Sequence, residues 1–205
     1  MTAFILAPDG AALITSLNTG DLLLFSGHSG TSESIKWMTI SNFSHVGVVL
    51  REGAHLHLWE STTLDDLRDR ATNTFHQGVQ LVPLAERVGS YEGEIMARRL
   101  QGVTFTRDDL KRFAALREEL KGRPYETSTI EALKAAYDGP FGENQRNVAS
   151  LFCSELAAEA YQALGVLDRA LPSNEYIPAD FSQRHEKLRL VRGRFGAEQA
   201  LKIAV

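Results

Sequence analysis

The chain contains a single cysteine, Cys153, in 205 residues. One cysteine excludes an internal disulfide framework and fits a reducing compartment. No apolar run approaches the roughly 20 residues that a membrane-spanning helix needs, so no integral membrane segment is expected. Neither charge dominates: 22 Lys and Arg against 26 Asp and Glu leave a net −4. The basic residues are scattered, which argues against a nucleic-acid partner. The opening residues Met1-Thr2-Ala3-Phe4-Ile5-Leu6-Ala7-Pro8-Asp9 lack a basic stretch, and proline breaks their apolar run. They do not read as a signal peptide, and the expected address is the cytoplasm. Internal repeats and low-complexity tracts are also missing. What remains, 43% hydrophobic residues and only six prolines, is the composition of one soluble domain large enough to bury a core. The expected unit is 1–205, with its core at about 19–195.

Leu22-Leu23-Leu24-Phe25, entered through Gly20-Asp21, reads as a short buried strand. Gly27-His28-Ser29-Gly30 is a turn, and Ser32–Ile40 has the pattern of a short helix. Strands are expected at Ser44–Leu50, Ala54–Ser61, Val79–Pro83 and Gly93–Arg99. The polar stretch Thr62–Gln77 shows no period. Thr106-Arg107-Asp108-Asp109 has the form of a helix start, with Leu110, Phe113, Leu116 and Leu120 turned inward and Gly122 as the stop. A further helix is expected over Ser128–Tyr137, broken by Asp138–Gly142. The helix carrying the cysteine runs from about Leu151 to Leu164 and ends at Gly165. Leu188–Val191 reads as a last strand. Strands grouped apart from helices, without βαβ alternation, define an α+β class.

Cys153 lies in Ser150-Leu151-Phe152-Cys153-Ser154-Glu155, at the expected helix start, and His45 opens the strand Ser44-His45-Val46-Gly47-Val48-Val49. A helix N-terminus and a nearby imidazole are two features that activate a thiol. If Glu52-Gly53 is a two-residue hairpin loop, Arg51 faces Ala54 and His45 stands directly opposite Glu60. Opposed side chains have Cβ atoms about 4.5–5.5 Å apart, within reach of a carboxylate–imidazole hydrogen bond. A loop of odd length would place Ser61 or Trp59 there instead. Glu60 shares its face with Gly47, Val49, Leu56 and Leu58, where an unpaired carboxylate would be costly.

Each residue also has a plainer explanation. Cys153 is in register with Leu156, Ala157, Ala160 and Leu164, and buried free cysteines are common. His55-x-His57 has a spacing that binds zinc, but no second ligand cluster lies nearby, so two histidines on a solvent-facing strand surface is the simpler reading. His28 is read as a loop residue. Arg68–Arg70 and Arg117–Lys121 are read as solvated faces, and Gly20-Asp21 as turn chemistry. No metal and no cofactor is expected.

The pieces Thr19–Phe25, Ser44–Val49, Leu58-Trp59-Glu60-Ser61, Gly122-Arg123-Pro124-Tyr125 and Phe152–Leu156 together resemble the circularly permuted papain-like cysteine hydrolases, the YiiX-like branch related to NlpC-type peptidases. The resemblance implies a small antiparallel sheet bearing the histidine, packed against a helical segment bearing the cysteine, with permutation accounting for His before Cys. It places the nucleophile on Cys153, the base on His45 and the ring-orienting residue on Glu60, with Tyr125 beside the substrate. Ser154, next to the nucleophile, is a second substrate-binding candidate. Many relatives are exported, whereas this chain shows no export signal.

The expected activity is hydrolysis of an amide, peptide or ester bond through an acyl-enzyme, the acyl donor being a small molecule, a peptide or a lipid. The oxyanion would meet the backbone N–H of Cys153 or a neighbour. The alternatives are acyl transfer, as in lipid acyltransferases of the same fold, and a non-catalytic ligand-binding module that keeps the pocket.

Overall fold

The continuous apolar run at Leu22–Phe25 has a simple cause: its strand is buried on both faces. The computed structural model describes residues 2–27, 43–124, 148–184 and 188–205. The helices expected at 32–40 and 128–137, the break at 138–142, His28 and Tyr125 lie outside the described residues. Among the described residues seven strands form one antiparallel sheet: β1 (Phe4–Leu6), β2 (Leu22–Gly27), β3 (His45–Glu52), β4 (His55–Thr62), β5 (Gly78–Pro83), β6 (Gly93–Gln101) and β7 (Arg194–Ala204). Their order across the sheet is β1-β7-β6-β2-β3-β4-β5. Among the described residues four helices accompany them, α1 (Gly10–Ser16), α2 (Leu84–Ser90), α3 (Arg107–Glu119) and α4 (Val148–Ala163), giving the α+β class.

Alternation of side chains along the strands divides the interior into two layers. On one face Leu22, Leu24, Val46, Val48, Leu50 and Trp59 pack against α4 and Phe113 of α3. On the other, Leu23, Phe25, Val49, Leu58, Ile95 and Ala97 pack against Leu84 and Val88 of α2. The central strand β2 contributes to both, so every second residue need not be polar.

The helix start read at Thr106 is a full capping box. Asp109 N donates to Thr106 Oγ1 at 3.1 Å and Thr106 N donates to Asp109 Oδ2 at 2.8 Å. Phe113 and Leu120 are buried as expected, but Leu110 is exposed, because the buried stripe runs through Asp109, Phe113 and Leu120 and Leu110 stands one residue off it.

Two expectations are overturned more substantially. Leu188–Val191 forms only an isolated bridge, Leu190 to Leu167. The last strand is β7, although its stretch Ala197-Glu198-Gln199-Ala200-Leu201-Lys202 consists of good helix formers. Pairing with β6 on one side and β1 on the other overrides that preference. The hairpin between β3 and β4 also closes differently. Glu52 pairs with His55, leaving Gly53-Ala54 as the loop, and Val48 pairs with Trp59. Gly53 takes the first loop position at φ +62°, the place a type II′ turn reserves for glycine. The register is therefore displaced by two residues from the expected one.

The stretch 63–77 has no helix or strand, yet it is well anchored. Asp69 is fully buried. Its carboxylate accepts from Ala71 N (3.0 Å), Thr72 N (3.0 Å), Thr72 Oγ1 (2.7 Å) and Leu81 N (2.9 Å). Gln80 Nε2 adds bonds to the carbonyls of Leu64 and His76.

Candidate active site

A slip of one residue in a strand pair would turn Glu60 to the other face, whereas a slip of two preserves it. Glu60 is thus diagonal to His45 rather than directly opposite, at a separation a glutamate can span. His45 Nε2 and Glu60 Oε2 lie 2.7 Å apart, the length of a charge-assisted hydrogen bond. His45 is the first residue of β3 and stacks obliquely on Phe25, its partner on β2, with ring centroids 5.1 Å apart.

Cys153 belongs to the opposite layer, on α4. As the first residue of its strand, His45 reaches the point where the two layers meet, and its ring hydrogen-bonds the Cys153 side chain. Since Glu60 holds Nε2, Nδ1 is the nitrogen left for the sulfur. Cys153 is 1% exposed, and the His45 side chain is 15% exposed.

The position of Cys153 in its helix differs from the expected one. α4 begins at Val148, so Cys153 is its sixth residue. Only the first four N–H groups of a helix are free, and the dipole fades within the first turn. The Cys153 N–H is therefore inside the helical ladder, beyond the free N–H groups of the first turn. The glycine stop holds: Gly165 sits at φ +67° just beyond the helix end.

Burial by itself would push the His45 imidazole down. The Cys153 sulfur beside it and the hydrogen-bonded Glu60 carboxylate outweigh that, raising it to about 9. Burial pushes Glu60 up, but the Arg87 guanidinium and His45 more than compensate, and its carboxyl lies below the usual range.

Arg87 is the residue that sequence reasoning missed. Fully buried on α2, it donates from Nε to Glu60 Oε1 at 2.7 Å and from Nη1 to Asp66 Oδ1 at 2.8 Å. Glu60 thus accepts from His45 with one oxygen and from Arg87 with the other. The signal was Leu84, Arg87 and Val88 at i, i+3 and i+4, an arginine set into an apolar helical stripe. Tyr91, also missed, packs edge-on against Phe25 with centroids 4.8 Å apart. Burial leaves the Tyr91 hydroxyl pushed up to about 12, against the opposing effect of its hydrogen bond with the Ser44 side chain.

Ser154 is fully buried, and its hydroxyl donates to the Tyr176 carbonyl at 2.6 Å, tying α4 to the segment that follows it. His55 and His57 do lie on the face away from Glu60, but that face is not solvent along its length: His55 is exposed, whereas the His57 side chain is only 14% exposed. Among the described residues no group of three or more His, Cys, Asp or Glu is placed to hold a metal ion. Nor is any helix among them long and apolar enough to cross a membrane. Arg68 and Arg70 are exposed, and Asp21 holds a turn by accepting from Asn18 N and Leu100 N, both at 2.8 Å.

No protein-family model matches the chain, and no curated protein does. Among solved structures it is similar to the crystal structure of metalloprotein yiiX from Escherichia coli O157:H7, with 20% identity over 92% of this chain and 96% of that one and a TM-score of 0.47.

Proposed function

We propose that this protein is a thiol hydrolase of amide, peptide or ester bonds with a permuted papain-like arrangement, in which Cys153 is the nucleophile, His45 the proton carrier and Glu60 the residue that orients His45. The observation that carries the reading is the 2.7 Å contact between His45 Nε2 and a buried Glu60 carboxylate, on a ring that also bonds the only cysteine. A carboxylate behind an imidazole fixes its tautomer and stabilises its protonated form.

In the reaction the proton shared by Cys153 and His45 rests on the imidazole, and the Cys153 sulfur bonds to the carbonyl carbon. The tetrahedral species collapses, the C–N or C–O bond breaks, and His45 returns the proton to the leaving amine or alcohol. Water then adds to the thioester while His45 takes its proton. The C–S bond breaks, releasing the acid and regenerating the thiol. Tyr125 is proposed to lie beside the substrate.

The rival is a non-catalytic binding module with a structural thiol, and one observation favours it: Cys153 is 1% exposed. Intact mass after incubation with a thioester- or ester-activated acyl donor separates the two. An acyl adduct on the wild type that is lost in Cys153→Ala supports the hydrolase. A thiol inert to both the donor and iodoacetamide in the native protein supports the module.

A further inference from the structure

A buried ion pair is a poor device for stability, because desolvating two charges offsets most of their attraction. Arg87 and Glu60 are nevertheless both fully buried and joined at 2.7 Å. The arrangement even leaves Arg87 Nη2 buried without a partner among the described residues, a cost an apolar side chain would not carry. What the pair does accomplish is specific: it keeps a carboxylate ionised and aimed at His45 in surroundings that favour its neutral form.

We propose that Arg87 is the positioning residue of the His45–Glu60 pair, its guanidinium setting the proton affinity of that pair and its second arm tying the pair to Asp66 of the 63–77 segment. The chemical meaning of this role rests on the hydrolase reading above, although its test does not. Among the described residues the groups facing the pair are Arg87 from α2, Cys153 from α4, Tyr91 from the turn after α2, and Asp66, which reaches Arg87 from the loop and is 40% exposed. Arg87 Nη1 also lies 3.4 Å from Ser90 Oγ.

The signs follow from charge alone. His45 and Glu60 titrate as a unit with midpoints that belong to the pair. Removing a positive charge beside them favours proton uptake, so Arg87→Met raises the midpoint. Removing the negative charge of Asp66 leaves Arg87 less neutralised, so Asp66→Asn lowers it. Arg87→Lys keeps the charge and holds the midpoint near that of the parent.

The measurement is the pH titration of the His45 ring 15N shifts by NMR in the Cys153→Ala protein, which reads the pair whether or not the thiol is catalytic. An upward shift of about one unit or more is expected for Arg87→Met, from the scale of contact charge effects. If Arg87→Met does not fold, the partly exposed Asp66→Asn decides by its opposite sign. Unmoved midpoints in the folded variants, or an Arg87→Lys shift as large as that of methionine, would overturn the proposal. The hydrolase reading fails separately, through the absence of an acyl adduct on Cys153.

Discussion

His45 and Glu60 meet diagonally across β3 and β4, Nε2 to Oε2 at 2.7 Å, although neither is the other's register partner. Arg87 holds the far oxygen of the same carboxylate, so the orientation and the charge of the imidazole depend on both neighbours.

Cys153→Ala and His45→Ala should each lower turnover by at least about a hundredfold, the lower end of what general acid–base groups contribute. Because the residues act as one unit, combining the two should cost little beyond either alone. A double variant much slower than each single one would separate their roles.

Glu60→Gln should retain more turnover than His45→Ala, since an amide still bonds an imidazole. It should lose stability, however, because Arg87 keeps only Asp66 as an anionic partner. Breaking a buried ion pair costs about 3–5 kcal/mol when the remaining charge is uncompensated, and the retained Asp66 pair should keep the loss below that. Denaturant midpoints of the two variants, measured beside their rates, check both halves of the statement.

Turnover should fall as pH rises through about 9, the value to which Cys153 and Glu60 raise His45 after burial has opposed them. Above it the imidazole no longer holds the proton that the leaving group needs. A kcat/KM profile flat to pH 10 or beyond would contradict this.

The same shift predicts a stability profile. His45 binds its proton more tightly folded than unfolded, so its contribution is full below about 6.5 and is lost as pH rises through about 9. Glu60, lowered from 4.5, contributes above that value and loses its contribution on acidification. Stability from this pair should therefore be greatest between pH 4.5 and 6.5. Unfolding at fixed temperature across pH 4–10 tests it, with His45→Gln expected to flatten the alkaline side.

Asp69→Ala should destabilise by roughly 3 kcal/mol, because it strands backbone N–H groups of Ala71, Thr72 and Leu81 that the carboxylate now satisfies. Asp69→Asn, which keeps one acceptor oxygen, should lose less. Equal losses in the two would point to a role other than hydrogen-bond acceptance.

Much of the site was legible because its signals are local. The histidine at a strand start and a hairpin loop of even length put Glu60 rather than Trp59 or Ser61 on the face of His45. That conclusion survived a displaced hairpin because two residues is one full strand period. The capping box at Thr106 and the doubly buried run at β2 were readable for the same reason.

Other features depend on partners distant in sequence. Arg87 meets Glu60 only because α2 packs on that face of the sheet, a contact 27 residues apart with no turn or period to announce it. β7 is a strand through its neighbours rather than its own residues. The thiol's distance from the start of α4, and its meeting with His45 at the end of β3, follow from how the two layers stack on the sheet. Residue identity and periodicity therefore determined which side chains were candidates and which faces they occupy. Only tertiary packing decided the charge beneath Glu60, since electrostatic contact depends on distance in space and not along the chain.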